Sequence, residues 1–370
     1  MPAPTSSSRT LRGLYLVVIT AVTLMICEAM ARLLLVPPGR FPAPQETPVI
    51  AEHATRGYTL RPGAVGHYRA GGFKAPIHIN ERGLRDAPLA QAAQADFRLL
   101  AVGDSFTMGL GVDAADTWPE QLERLLNQGA KSRVAVVNAG VPGYSARQMR
   151  QVVEGLRQEL RPQVVLFGMN SETHWRVESP YVLRAGQLVR SSLLPALTIG
   201  RHGFYYSSIT RWYWLNRFDV WLNQHFEFGA HLLAAARRIA GLLAAGSAHT
   251  EMAAQTPIDM VEARQHLEPA LQQILLASEI ARSDGARFVV LLINPQASDG
   301  TFAPVQWAYN AVVTAFCRDR TIEVVDPLPA LVADSGGRPV HRTFDDYHWT
   351  RNAHGVGARA LSEHLRSFDP

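Results

Sequence analysis

The 370-residue chain contains very little cysteine and very little lysine. Two cysteines, Cys27 and Cys317, are too few for a disulfide framework, and their number does not identify the compartment. Because Lys74 and Lys131 are the only lysines, arginine supplies nearly all of the basic charge behind the net charge of +4. The arginines are scattered, and no zinc-finger, RNA-binding or helix-turn-helix signature accompanies them. We therefore expect no nucleic-acid partner.

The sequence also lacks a cluster of metal-ligating residues and a glycine-rich phosphate loop. We therefore expect neither a metal nor an organic cofactor. Its composition, 47% hydrophobic and 18% charged, is that of an ordinary globular protein. The length is enough for one domain with additional segments, but it predicts no oligomeric state.

An apolar stretch near the N-terminus has two interpretations. Counted over residues 14–36, it has 23 residues and two charges, which is enough to cross a bilayer. Counted only to Cys27, it has the apolar length of a signal peptide, and the Ala-Met-Ala sequence at 29–31 matches a cleavage motif. The apolar residues at 33–36 favour an uncleaved anchor.

Basic residues precede this stretch and predict its orientation. Arg9 and Arg12 place residues 1–13 in the cytoplasm by the positive-inside rule. We predict a single-pass membrane protein whose body lies outside the cytoplasm, with residues 14–36 as the transmembrane anchor. Secretion after cleavage and a buried soluble helix are the alternatives.

The remaining chain divides into a linker, a collar and a main domain. Five prolines between residues 36 and 48 predict an extended linker over 37–57. Glycines and short alternating stretches predict a small strand-and-turn segment over 58–96, here named the collar. Over 97–370, strand-like apolar runs alternate with helical patterns. This alternation predicts an α/β fold, a three-layer αβα sandwich around a parallel sheet.

Residues 174–256 interrupt the alternation and are predicted to form a helical insertion. Apolar residues recur at helical spacing over 214–243, with tryptophan and tyrosine crowded at the start. Three interpretations remain open for this helix. It covers the active site, it lies on the membrane surface, or it packs on the core without a role in binding.

The run 97–102 ends abruptly at Gly103, Asp104 and Ser105. Short apolar runs bounded by glycine are typical of buried strands, and open parallel sheets hold their chemistry beyond the carboxyl ends of the strands. Ser105 is therefore a candidate nucleophile, and Asp104 is expected to bond the backbone of its loop. The alternative is that Ser105 only caps a helix.

A serine nucleophile needs a base, and the chain offers one near its end. His348 follows Asp345 by three positions, and a helix-like segment begins after it. In a tight turn this spacing lets the carboxylate reach the imidazole, so we predict a triad of Ser105, His348 and Asp345. Asp346 is a rival acid at a poorer spacing.

Two further residues end apolar runs of their own and are expected at the same sheet edge. Gly140 ends the run from 133, and Asn170 ends the run from 163. A backbone N–H at a glycine and a side-chain amide can both donate to an oxyanion. With the N–H of Ser105, these groups predict an oxyanion hole. The alternatives are that Gly140 only permits a turn and that Asn170 only caps a loop.

These blocks together resemble the SGNH hydrolases, also called GDSL-type esterases and lipases. The resemblance implies a flavodoxin-like sheet of five parallel strands in the order 2-1-3-4-5. Two positions depart from the family pattern, with Phe106 in place of a leucine and Ser171 in place of an aspartate. The matching blocks, in chain order, are Gly103-Asp104-Ser105, Gly140 within Asn-Ala-Gly-Val-Pro-Gly, Gly168-Met169-Asn170, and Asp345 with His348.

The resemblance implies a serine-dependent hydrolase of carboxylic esters. The predicted anchor suggests an acylated glycan or lipid outside the cytoplasm as its substrate, and His174 and Trp175, just after Asn170, are candidate substrate contacts. Two alternatives use the same fold. One is an O-acyltransferase that passes the acyl group to an envelope glycan, and the other is a catalytically idle module that binds glycan or acts as a scaffold.

Overall fold

The computed structural model describes most of the chain. Its described residues are 6–35, 49–70, 73–170, 181–184, 187–190, 196–200, 203–207, 228, 232, 260–297, 300–338, 340–341 and 348–366. The strands are β1 (Ile50–His53), β2 (Gly57–Leu60), β3 (Val65–Ala70), β4 (Phe73–His78), β5 (Phe97–Gly103), β6 (Val134–Gly140), β7 (Val164–Asn170), β8 (Tyr181–Arg184), β9 (Gln187–Arg190), β10 (Ala196–Gly200), β11 (Gly203–Ser207), β12 (Arg287–Ile293) and β13 (Glu323–Val325). The α-helices are α1 (Ser6–Leu35), α2 (Leu89–Ala92), α3 (Ser105–Met108), α4 (Trp118–Leu126), α5 (Ala146–Leu160), α6 (Met260–Ser283), α7 (Pro304–Arg318), α8 (Leu328–Ser335) and α9 (Arg351–Leu365).

Five parallel strands form the central sheet in the spatial order β6-β5-β7-β12-β13. Numbered within this sheet, the order is 2-1-3-4-5, as predicted. The register aligns Gly103 with Gly140 and Ile293 with Asn170, so the strands end together at one edge. That edge carries the predicted site residues.

The sheet is covered on both faces, which confirms the three-layer sandwich. Side chains alternate along each strand, so Leu100 and Val102 pack in one core cluster while Leu99 and Ala101 pack in the other. The first cluster includes residues of α5, α6 and α7, and the second includes residues of α4 and α9. Strands buried on both faces explain why their sequences read as continuous apolar runs.

The segments before and within the main domain form two further sheets. The hairpin β1-β2 begins at Ile50, inside the predicted linker. A six-stranded sheet has the order β4-β3-β11-β10-β9-β8 and joins the collar to residues 181–207. This part of the insertion is therefore stranded rather than helical, because short runs rich in β-branched and aromatic residues favour strands. The predicted helix over 214–243 lies almost wholly outside the described residues.

The N-terminal helix α1 is long and apolar enough over Arg12–Ala31 to cross a membrane, by length and composition alone. A signal sequence passes the same test, so the helix is a candidate for either role. Its Glu28 carboxylate accepts a hydrogen bond of 2.9 Å from the backbone N–H of Phe228 in the insertion.

Candidate active site

Ser105 is the first residue of α3, directly after the carboxyl end of β5. Asp104 is the residue that caps this helix, since its Oδ1 accepts the Phe106 N–H at 3.0 Å. The interpretation of Ser105 as a cap is therefore wrong, and the structural role expected for Asp104 is confirmed. As the first helical residue, Ser105 has a backbone N–H without an intrahelical acceptor.

The structure brings Ser105 and His348 together across 243 positions of sequence. His348 Nε2 lies 2.7 Å from Ser105 Oγ, within hydrogen-bonding distance. Both side chains are buried, with 6% of Ser105 and 2% of His348 exposed. The hydroxyl and the imidazole therefore have the spacing that transfer of a proton between them requires.

The aromatic residues around His348 fix the position of its ring. The imidazole packs against the ring of Phe106, with centroids 4.8 Å apart. Trp349 is fully buried and donates from its indole nitrogen to the Asn294 carbonyl at 2.9 Å, just past the end of β12. His348 is thus held by Trp349, which follows it in sequence, and by Phe106, which follows Ser105.

Four residues named from the sequence lie outside the described residues. They are Asp345, its rival Asp346, and the two candidate substrate contacts His174 and Trp175. Their roles stay predictions.

Asn170 ends β7 and lies next to residues 104–112, here named the nucleophile loop after the candidate nucleophile Ser105. Its amide donates to Asp104 Oδ2 at 3.2 Å, and both side chains are buried. Asp104 therefore bonds the Phe106 N–H with one oxygen and Asn170 with the other. Burial raises the pKa of the Asp104 carboxyl, and these two hydrogen bonds oppose the shift. The bond fixes the plane of the Asn170 amide.

Gly140 reaches the same edge, but its N–H is already engaged. It donates to the side-chain oxygen of Asn138 at 3.1 Å. An oxyanion bound here would compete with a neutral amide oxygen for this donor. Asn138 was not predicted as part of the site, although it lies two residues before Gly140 in the same strand.

Three glycines make room for α3, here also named the nucleophile helix because it begins at the candidate nucleophile Ser105. A side chain on Gly140 would place its Cβ 2.2 Å from the Met108 nitrogen, and one on Gly103 would place it 1.9 Å from the Thr107 hydroxyl. A Cβ on Gly168 would lie 2.6 Å from the same hydroxyl. The absence of these side chains lets α3 lie directly on the ends of β5, β6 and β7. Glycine is therefore needed at residue 140 mainly because a side chain would collide with α3, and not mainly because it permits a turn.

A second histidine lies behind the site and is neutral. Burial, followed by the nearby charges of Arg85 and His348, lowers the pKa of His354 to about 3. The neutral ring accepts the Trp118 N–H at 3.1 Å and so satisfies the first N–H of α4. Among the described residues, no group of three or more His, Cys, Asp or Glu side chains could hold a metal ion.

The family of the chain is shown by its match to one family model. Residues 101–356 match the model of the GDSL-like lipase/acylhydrolase family. The chain is also similar to three solved structures. A lipase/acylhydrolase from Enterococcus faecalis is 13% identical, with coverage of 73% of this chain and 96% of that one, and a TM-score of 0.39.

The second structure is an acetylxylan esterase from Geobacillus stearothermophilus, with 14% identity, coverage of 74% and 95%, and a TM-score of 0.40. The third is a psychrotrophic esterase from Pseudoalteromonas sp., with 9% identity, coverage of 74% and 98%, and a TM-score of 0.38. No match was found among the curated proteins.

Proposed function

Because the chain belongs to the GDSL-like lipase/acylhydrolase family and is a serine ester hydrolase, we propose that Ser105 is its nucleophile and His348 its general base. The observation that carries this proposal is the 2.7 Å separation of Ser105 Oγ and His348 Nε2 at the carboxyl edge of the sheet. Asp345 is proposed as the acid that orients His348, from its spacing in sequence.

The proposed reaction has two halves. His348 Nε2 takes the hydroxyl proton while Ser105 Oγ attacks the ester carbonyl, and the resulting imidazolium then protonates the leaving alcohol. Collapse of the tetrahedral intermediate leaves an acyl group on Ser105. His348 next takes a proton from water, the hydroxide attacks the acyl carbonyl, and the carboxylic acid leaves as Ser105 regains its proton.

The oxyanion of each tetrahedral intermediate needs donors. We assign this role to the N–H of Ser105, the N–H of Gly140 and the amide of Asn170. Loss of one such donor costs roughly 3 to 4 kcal/mol of transition-state stabilisation in hydrolases. The Asn138 oxygen that accepts the Gly140 N–H in the structure would be replaced by the oxyanion during the reaction.

The substrate is proposed to be an acylated glycan or lipid of the cell envelope, met outside the cytoplasm. Two observations support this placement. Helix α1 has the length and composition of a membrane span, with basic residues on its N-terminal side. The contact between Glu28 and the Phe228 N–H joins the C-terminal half of that helix to the aromatic-rich insertion.

Hydrolysis of nitrophenyl esters by the purified full-length chain tests the proposal. Short- and long-chain esters are compared for the wild type, Ser105→Ala and Ser278→Ala. We expect Ser105→Ala to lower kcat at least ~10⁴-fold, since loss of a triad nucleophile removes the covalent route. Ser278 is a buried serine of α6 that bonds only the Leu275 carbonyl among the described residues, so its alanine variant should keep wild-type activity.

Glycan acceptors added to the same assay separate the alternatives. Release of nitrophenol without acceptor, dependent on Ser105, establishes hydrolysis, and the fastest chain length identifies the acyl group. Release only with an acceptor indicates an acyltransferase. A folded protein that binds glycan and releases nothing in either condition indicates the idle module.

A further inference from the structure

The collar contacts the nucleophile loop through one buried arginine. Arg85 is only 3% exposed. One of its terminal nitrogens donates to the carbonyls of Met108 and Gly109, at 3.1 and 2.6 Å. The other donates to the carbonyls of Val112 and Pro76, at 2.8 and 3.2 Å. Three of these four acceptors belong to the segment that follows Ser105, and the fourth belongs to β4 of the collar.

These bonds fix the end of the nucleophile helix. Met108 is the last residue of α3 and Gly109 is its C-cap, so their carbonyls are among those that a short helix leaves without partners. A guanidinium presents its donors in a rigid planar fork, which lets one side chain hold several carbonyls at fixed angles. With Asp104 at one end of α3 and Arg85 at the other, Ser105 is held from both sides.

Asp86 makes the equivalent contact with the neighbouring strand. Its Oδ2 accepts the Asn138 N–H at 2.5 Å, and its Oδ1 accepts the Ala87 N–H at 2.6 Å. Strand β6 is an edge strand, and its outward N–H groups need acceptors. The Asn138 side chain in turn accepts the Gly140 N–H. Asp86 is therefore linked to the Gly140 end of β6 through a single residue, Asn138.

The collar also holds the loop after Gly140. The Tyr58 hydroxyl donates to the Pro142 carbonyl at 2.9 Å, and the Tyr144 hydroxyl donates to the Tyr58 carbonyl at 2.7 Å. Both tyrosines are buried, and their rings meet edge to face. The collar thus contacts the segments that follow Ser105 and Gly140, although it lies before residue 101, where the family match begins.

We propose that Arg85 and Asp86 are positioning residues that hold the nucleophile helix and the Gly140 strand end in the geometry needed for acyl transfer. The collar then helps to hold the active site in its catalytic geometry. The contacts of Arg85 and Asp86 with these two segments are here named the clamp. Its catalytic consequence rests on the proposed function, whereas the clamp itself concerns only how firmly residues 104–112 and 138–144 are held in place. It predicts effects on the rate of the chemical step in a folded protein.

Arg85→Met and Arg85→Lys, made in the full-length chain, are compared with Arg82→Met. Arg82 is a matched control because it lies three residues earlier in the collar, is exposed and pairs with Glu159 at the surface. Methionine removes every donor, whereas lysine keeps the charge as a point donor that cannot span the four carbonyls. Each assay runs well below the variant's unfolding midpoint, measured by circular dichroism.

We expect kcat with a nitrophenyl ester to fall about 10²-fold in Arg85→Met, the cost of displacing reacting groups by ~1 Å, with KM little changed. Arg85→Lys should fall less, and Arg82→Met should equal the wild type. Amide hydrogen exchange in residues 104–112 should become faster in both Arg85 variants and stay unchanged in Arg82→Met. A folded Arg85 variant with wild-type kcat and wild-type exchange overturns the proposal.

Two further comparisons keep the test decisive. If Arg85→Met does not fold, Arg85→Lys alone is compared with Arg82→Met. If the wild type hydrolyses no ester, the proposed function fails, and exchange in residues 104–112 then decides the clamp. Faster exchange in Arg85→Lys than in Arg82→Met supports the clamp, and equal exchange overturns it.

Asp86→Asn tests the second half of the clamp. We expect faster exchange in residues 138–144 and a smaller fall in kcat than in Arg85→Met. Asp96→Asn is the control, since Asp96 also accepts a backbone N–H beside β6, from Arg133 at 2.8 Å, but is exposed and far from the strand end. Equal exchange in the two variants would exclude Asp86 from the clamp.

Discussion

The central sheet and the collar hold the same nucleophile loop in opposite ways. On the sheet side, Gly103, Gly140 and Gly168 provide space, because any side chain there would collide with α3. On the collar side, Arg85 inserts a charged side chain whose donors bond backbone carbonyls. The sheet contact depends on the absence of side chains, and the collar contact depends on the hydrogen bonds that one side chain supplies.

The difference matters for how each contact fails. A side chain added on the sheet side pushes the backbone of α3 away, since packed interiors have little room to absorb extra atoms. A side chain removed on the collar side leaves carbonyls buried without donors, which lets the loop shift but does not force α3 away from its native position. An added side chain on the sheet side should therefore have a larger effect on activity than a removed side chain on the collar side, and its effect should depend less on the assay conditions.

Gly140→Ala is expected to have the largest effect. The new Cβ would lie 2.2 Å from the Met108 nitrogen and 2.7 Å from the Thr107 carbonyl carbon, and neither backbone atom can rotate away. We expect no measurable ester hydrolysis and a loss of about 3 kcal/mol in the free energy of unfolding, the upper part of the usual range for overpacked cores. Urea denaturation and the nitrophenyl ester assay measure the two effects.

Gly155→Ala is the control for that substitution. Gly155 lies on the exposed side of α5, and a Cβ there meets nothing within 4 Å. Alanine favours helix over glycine by about 1 kcal/mol, so this variant should be more stable and fully active. Similar losses in the two variants would show that the close contact with α3 is not the reason why residue 140 is glycine.

Asn170→Ala should have the next largest effect and separates chemistry from positioning. If the sheet edge supplies an oxyanion donor while the collar only positions, this variant should lose more kcat than Arg85→Met. The expected fall is about 10²- to 10³-fold, with KM little changed. Asn352→Ala is the control, since Asn352 bonds Asp334 at the surface. A smaller loss than in Arg85→Met would remove Asn170 from the oxyanion hole.

The sheet side of the comparison was readable from the sequence. Apolar runs that end in Gly-Asp-Ser, Asn-Ala-Gly and Gly-Met-Asn are local patterns, and parallel strands bring their carboxyl ends to one edge by geometry. The strand order and the approach of Ser105 to His348 therefore followed from the sequence with the family resemblance. The Asn138 bond to Gly140 is also local, but an asparagine two residues before a glycine does not by itself predict that its side chain accepts the glycine N–H.

The collar side was not readable, because its contacts join distant segments. Arg85 looks like any other scattered arginine until the fold places it against the carbonyl of Met108, 23 positions later. The pairing of residues 181–207 with the collar could not be predicted for the same reason. Strand β11 pairs in parallel with β3 of the collar, with Phe204 opposite Tyr68, and such partners leave no local signal.

A smaller effect is expected from Asp86→Asn, in the pH dependence of stability. Burial raises the pKa of Asp86 from 3.8 to about 7, helped by repulsion from Glu120 and Glu123 and opposed by the hydrogen bonds from the Asn138 and Ala87 N–H groups. Because the folded pKa lies above the unfolded one, the protonated form favours folding. Wild-type stability should therefore decline as pH rises from about 4 through about 7.

Urea denaturation at a series of pH values measures this decline. Glu120 and Glu123 of α4 and Arg133 line the same small cavity as Asp86 and are the same in both proteins, so the comparison isolates Asp86. Asp86→Asn should show a flatter dependence, and the exposed-site variant Asp96→Asn should follow the wild type. Equal slopes in wild type and Asp86→Asn would mean that Asp86 does not take up its proton on folding.

Phe106→Leu should have the smallest effect and tests whether the sheet side needs an aromatic ring. The Phe106 ring lies 4.8 Å from the imidazole of His348 and 6.0 Å from the ring of Trp349. Aromatic pairs contribute about 0.5 to 1.5 kcal/mol, so we expect kcat to fall less than about tenfold, with a similar small loss of stability. Phe316→Leu, in the other core cluster, should lose stability but keep kcat, because Phe316 packs away from His348. Equal kcat in both variants would mean that the backbone and Trp349 alone hold the imidazole against Ser105, and that a leucine at 106 serves as well.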